Sequence, residues 1–135
     1  MIKKIDHIGI AVSDMASSER KYEILTGKKS GHKEVVEEQK VETSFFPVGD
    51  VRLELLKGIH PESPIAKFIA RKGEGIHHIC FEVEDLKQSK VFFSKCGFTF
   101  IEGISESGAG GSKVAFLHPK STGGVLMELV EYPEK

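Results

Sequence analysis

The sequence predicts an α+β chain built from two copies of one strand–helix–strands unit. Three observations predict it. Ile5-Asp6-His7-Ile8-Gly9-Ile10-Ala11-Val12-Ser13-Asp14 aligns without a gap on Ile76-His77-His78-Ile79-Cys80-Phe81-Glu82-Val83-Glu84-Asp85, at an offset of 78 − 7 = 71 residues. Identities fall at Ile5/Ile76, His7/His78, Ile8/Ile79, Val12/Val83 and Asp14/Asp85. A second match joins Val51-Arg52-Leu53-Glu54-Leu55 to Val125-Leu126-Met127-Glu128-Leu129, at 128 − 54 = 74. Between these matches, period-2 stretches alternate with helical spacing in the same order in each half.

Taken in order, residues 2–12 read as a strand, with Ile8, Ile10 and Val12 on one face and Ile5, His7, Gly9 and Ala11 on the other. Ser13 or Asp14 caps a helix over about 15–26, with Met15, Tyr22 and Leu25 as a thin apolar stripe and Gly27 as its stop. Residues 28–40 are polar and carry no assignable pattern. A strand over about 41–48 meets the strand Val51–Leu56 through a turn centred on Gly49-Asp50. On the second of these Val51, Leu53 and Leu55 share a face, so Glu54 points the other way.

Ser63-Pro64 starts a connector helix that ends at Gly73. The second half replays the first: a strand over Ile76–Val83, then a helix from the Asp85/Gln88 capping box to about Cys96. A short strand follows at Phe98–Ile101, then a glycine-rich loop, a strand at Lys113–His118, a turn over Pro119–Gly124 and a last strand at Val125–Val130. The expected organisation is one domain over 1–135, with repeat one at about 1–58, the connector at about 63–73 and repeat two at about 74–131.

Composition excludes several function classes. The formal net charge is −1, so no basic field recruits nucleic acid or an anionic membrane. No apolar run nears a membrane span, and the N-terminus lacks a signal-peptide core, which predicts a cytoplasmic protein. Cys80 and Cys96 are too few for a disulfide framework and read as reduced thiols.

The repeat singles out His7, Glu54, His78 and Glu128. By alternation each lies opposite the aliphatic side of its strand. If the aliphatic sides meet the helices, the other side of a curved sheet is lined by two imidazoles and two carboxylates. Four such groups in a partly buried space are costly unless paired or metal-bound. Two nitrogen and two oxygen donors suit a divalent first-row metal, and two carboxylates balance its charge. Duplication with no metal is the competing reading. His77 points away from His78, and Gly108-Ala109-Gly110-Gly111-Ser112-Lys113 lacks P-loop spacing and reads as a lid or turn.

Three stretches carry a family resemblance: Ser63-Pro64-Ile65-Ala66-Lys67-Phe68, Gly75-Ile76-His77-His78-Ile79, and the run from His118-Pro119-Lys120-Ser121 through Glu128-Leu129. With the inward His and Glu of each half, they resemble the vicinal-oxygen-chelate superfamily (the glyoxalase/bleomycin-resistance fold) and, within it, the methylmalonyl-CoA epimerases. The resemblance implies two βαβββ units forming a cupped mixed sheet around one metal. It implies metal ligands at His7, Glu54, His78 and Glu128, with cobalt first among cobalt, manganese, nickel and zinc. It implies epimerisation at C2 of methylmalonyl-CoA through a metal-stabilised enolate, in a protein that forms a homodimer.

Glu128 is also a candidate acid/base. The second acid/base of the bacterial family is a glutamate on the strand after the first helix. Thr43 stands at that place, and Glu42 is its neighbour on the opposite face; a register slip or bulge would bring Glu42 inward, and otherwise Glu128 and a water must suffice. Lys120 with Ser121 is the candidate for the CoA phosphates. The chain also resembles glyoxalase I, whose His/Glu/His/Glu set is similar. A metal-free binding module of the same fold is a further alternative, and an extradiol dioxygenase would leave Glu54 unexplained.

Overall fold

The alternation of apolar and polar residues that opens the chain places Ile2–Ala11 in the first strand, β1, of a computed structural model that describes residues 1–134. The elements that follow are α1 (Met15–Thr26), β2 (His32–Val36), β3 (Val41–Val48), β4 (Val51–Gly58), α2 (Pro64–Lys72), β5 (Gly75–Val83), α3 (Leu86–Lys95), β6 (Lys113–Leu117) and β7 (Met127–Glu131). The class is α+β, as the sequence predicts. The sheet is mixed: β1/β4 and β5/β7 pair in parallel, whereas β2/β3, β3/β4 and β6/β7 are antiparallel.

The described chain falls into two compact units. The N-terminal unit is His7–His77; the C-terminal unit is Met1–Asp6 together with the residues from His78 on. The strand order is β2-β3-β4-β1 in the N-terminal unit and β1-β5-β7-β6 in the C-terminal unit.

In the N-terminal unit, α1 covers one face of the sheet. Asp14 caps it by accepting from the Ser17 amide, and Gly27 ends it in the left-handed conformation. Val12, Met15, Phe46 and Leu55 form the core beneath it, with Tyr22 packed alongside. Leu25 does not join the expected stripe; it is 75% exposed. That stretch of the interface is polar instead. Glu19 of α1 accepts from the Ser44 hydroxyl of β3 at 2.7 Å and pairs with Lys33 at 3.0 Å. The connector α2 starts at Ser63, whose buried hydroxyl accepts from the Ile65 amide.

The C-terminal unit repeats the plan. Asp85 caps α3 by accepting from the Gln88 amide. Val83, Leu86, Ala115 and Leu129 form the core between α3 and the sheet, with Phe81, Phe93 and Phe100 around it. Leu86 stands 71 residues after Met15, and Leu129 stands 74 after Leu55. The two offsets of the sequence repeat are thus the offsets of the two cores.

Three expectations change. Residues 28–40 contain β2 and a short 3-10 turn at Glu37–Gln39. Phe98–Ile101 forms only an isolated bridge, Phe100 to Leu117, flanked by left-handed glycines at 97 and 103 that end the extended run on either side. The last strand begins at Met127, later than Val125, because Gly123 and Gly124 both have positive φ and hold the chain in the turn.

Candidate metal centre

Each unit buries one histidine against one glutamate on the sheet face opposite its helix. In the N-terminal unit, β1 and β4 are parallel and Gly9 lies opposite Glu54, so His7 sits diagonally across from Glu54 on the same face. His7 Nε2 is 3.0 Å from Glu54 Oε1. In the C-terminal unit, β5 and β7 are parallel and Cys80 lies opposite Glu128, which sets His78 on the same diagonal. His78 Nε2 is 2.9 Å from Glu128 Oε1. His7, Glu54, His78 and Glu128 are 5%, 5%, 4% and 7% exposed.

An aromatic ring completes each pair, and sequence reasoning overlooked both. Phe45 of β3 lies directly opposite Glu54 and meets the His7 ring edge-on, centroids 5.9 Å apart at 78°. Phe116 of β6 lies directly opposite Glu128 and meets the His78 ring at 6.0 Å and 80°. The signal was present, since 116 − 45 = 71 is the histidine offset. Each contact sets one imidazole edge-on against an apolar ring.

The remaining expectations resolve as follows. His77 points away from the pairs and packs edge-on against Phe68 of α2, centroids 4.9 Å apart. Thr43 lies on the face of Glu54, two residues before Phe45, and is 1% exposed. Glu42 is a correction. The ladder through Glu42↔Lys57, Thr43↔Leu56, Ser44↔Leu55 and Phe45↔Glu54 is unbroken, so no bulge turns Glu42 toward Glu54. Ser121 accepts from the Thr99 amide at 2.8 Å, and Lys120 is exposed on a 3-10 turn capped by His118. The glycine-rich segment is a turn in which the Gly108 amide donates to the Ser112 carbonyl.

Comparison with known proteins supplies the class. Residues 6–116 match the model of the Glyoxalase/Bleomycin resistance protein/Dioxygenase superfamily, and the chain belongs to that superfamily.

Within it, the similar proteins include named epimerases. The chain is 34% identical to an ethylmalonyl-CoA/methylmalonyl-CoA epimerase of Cereibacter sphaeroides, over 96% of this chain and 98% of the relative. A methylmalonyl-CoA epimerase variant of Streptomyces coelicolor, solved in complex with 2-nitronate-propionyl-CoA, superposes with a TM-score of 0.90. That structure is 34% identical and covers 99% of this chain and all of its own. The uncharacterized protein YqjC of Bacillus subtilis is 40% identical over 96% of this chain and 93% of its own length.

Proposed function

We propose that this protein is a methylmalonyl-CoA epimerase that interconverts the C2 epimers of its substrate by removing and returning the C2 proton. The observation that carries the reading is the buried His–Glu pair repeated in both units of a chain similar to epimerases along nearly its whole length. In this proposal His7, Glu54, His78 and Glu128 together hold one divalent metal, cobalt first. The donors fit. Each unit offers an imidazole nitrogen and a carboxylate oxygen about one hydrogen bond apart, both buried, and the two carboxylates offset the charge of the ion.

A metal held by these residues would supply Lewis-acid stabilisation of negative charge developing on the thioester oxygen. The chain's own residues do the rest. Phe45 and Phe116 fix the imidazole planes and exclude water from the pairs. Glu128 serves as one proton-transfer group, positioned by its contact with His78. None of the described helices is long and apolar enough to cross a membrane. The proposal includes a cytoplasmic homodimer, in which a second copy covers the exposed Ile24 and Leu25 of α1.

Proton NMR of methylmalonyl-CoA in D₂O tests the reading. The expected result is loss of the C2 proton signal far above the spontaneous rate, abolished by chelation and restored by cobalt. Full activity after exhaustive chelation would remove the metal from the mechanism. An inert, metal-loaded protein would overturn the epimerase reading, and the glutathione hemithioacetal of a 2-oxoaldehyde would be the next substrate to try.

A further inference from the structure

An epimerase needs a proton-transfer group on each side of C2, and Thr43 stands where the family resemblance leads one to expect the second carboxylate. The N-terminal unit holds a carboxylate one strand away. Glu34 of β2 lies directly opposite Thr43 of β3. Directly opposed residues of an antiparallel ladder share a face. Glu34 therefore shares the face of Thr43, Phe45 and Glu54, the face that Glu42 does not reach.

The local contacts hold Glu34 there. The Thr43 hydroxyl donates to the Glu34 carbonyl at 3.2 Å, tying β2 to the buried threonine. Glu34 Oε1 is 2.9 Å from His32 Nε2. His32 lies opposite Phe45, and its ring is tilted against the Phe45 ring at 6.2 Å. Phe45 is also the ring that meets His7 edge-on. His32, Phe45 and Glu54 thus form one cross-strand row, with Glu34 and Thr43 in the next row on that face. The Glu34 side chain is 28% exposed, open enough to meet a substrate and shielded enough to be oriented.

We propose that Glu34 is the second acid/base of the epimerisation, oriented by His32 and leaning across one strand spacing, about 4.8 Å, over the short Thr43 side chain. The inference rests on the epimerase reading. In one direction the Glu34 carboxylate takes the C2 proton while the C–H electron pair moves into the thioester to give an enolate. The group on the other side, Glu128, then gives a proton to C2 as the electron pair returns and the carbonyl is restored. Exchange with solvent resets both carboxyl groups, and no oxidant or reductant is needed.

Glu34→Gln tests this with each epimer supplied separately in D₂O. The variant is expected to keep its metal content and to bind 2-nitronate-propionyl-CoA, followed by calorimetry, as the parent does. Its kcat for inversion should fall by about 10²–10⁴-fold. One epimer should still exchange its C2 proton without inverting, because its proton faces the group that remains. Adding Thr43→Glu to this variant should restore inversion. His32→Ala should lower kcat with KM and analogue binding retained, whereas a merely structural role would weaken both. A Glu34→Gln protein that inverts at the parental rate, or one that loses analogue binding along with exchange of both epimers, would overturn the role of Glu34 while the parent still inverts. A parent inert toward both epimers would instead overturn the epimerase reading, and the role of Glu34 with it.

Discussion

Substituting the two histidines separates what each buried pair does for folding from what it does for a metal. His7→Ala leaves the Glu54 carboxylate, 5% exposed, without the imidazole 3.0 Å away, and removes one of the rings that Phe45 packs against. Breaking a buried pair by deleting one partner costs about 3–5 kcal/mol. For 135 residues, at roughly 2.1 cal/mol/K of unfolding entropy each, 1 kcal/mol shifts Tm by about 3.5 °C. The metal-free variant should therefore melt roughly 10–17 °C below the parent. His78→Ala should match it, because His78 and Glu128 reproduce the distance and burial of the first pair. His7→Gln keeps an amide donor for Glu54, so its metal-free cost should be only about 1–2 kcal/mol.

Cobalt at a hundred times its Kd should raise the parent by about 2.7 kcal/mol, or roughly 9 °C. If all four residues hold one ion, every variant should lose nearly that whole increment. If each pair acted alone, His7→Gln would keep about half of it. Scanning calorimetry of chelated protein, repeated across a cobalt titration, measures both quantities. A metal-free His7→Ala protein melting within a degree or two of the parent would refute the reasoning about the pair. A His7→Gln protein that keeps half of the cobalt response would refute the single four-residue centre.

Two further substitutions probe the scaffold. A Cβ added at Gly58 would come within 2.9 Å of the Ala66 amide nitrogen and Cβ, where β4 passes the first turn of α2. Gly58→Ala should cost about 1–3 kcal/mol through overpacking, read as a lower urea midpoint with an unchanged m-value. Asp14 and Asp85 cap the equivalent helices of the two units, so Asp14→Ala and Asp85→Ala should each cost about 1 kcal/mol in the same assay. A larger loss at one than at the other would show that the helices contribute unequally.

The parts of the fold legible in the sequence were those in which a local pattern and a long-range repeat agreed. The caps at Asp14, Ser63 and Asp85 could be read because capping needs only a side-chain oxygen two or three residues before an amide. The faces of His7, Glu54, His78 and Glu128 could be read because strand alternation is strict where one face is buried. Strand β2 could not be read. Of His32–Val36 only Val36 is buried, so the stretch shows no apolar period and is held by its ladder to β3. Glu34 therefore carries no pattern of its own, whereas Glu42 stands on a strand with a clear one. Phe45 and Phe116 were passed over for a different reason. Each reads as an ordinary core aromatic until the cross-strand register sets it opposite a glutamate.

The repeat also bears on where proton chemistry resides. Duplication yields two matching His–Glu pairs, and the two units reproduce them down to the edge-on ring. Such a device cannot by itself tell one side of a carbon from the other. Discrimination has to come from positions at which the units differ. The positions 71 residues after His32, Glu34 and Thr43 are Gly103, Ser105 and Val114. No strand equivalent to β2 forms there. The segment instead lines a cleft of about 490 Å³ bordered by Phe100, Ile101 and Phe116, with Lys90 and Glu106 at its edge, 3.3 Å apart. One unit therefore places a carboxylate and an imidazole on an edge strand where the other has an open cleft with Glu102 and Glu106 in its lining. On the proposed reading, this difference between the units is what a two-sided proton transfer would require.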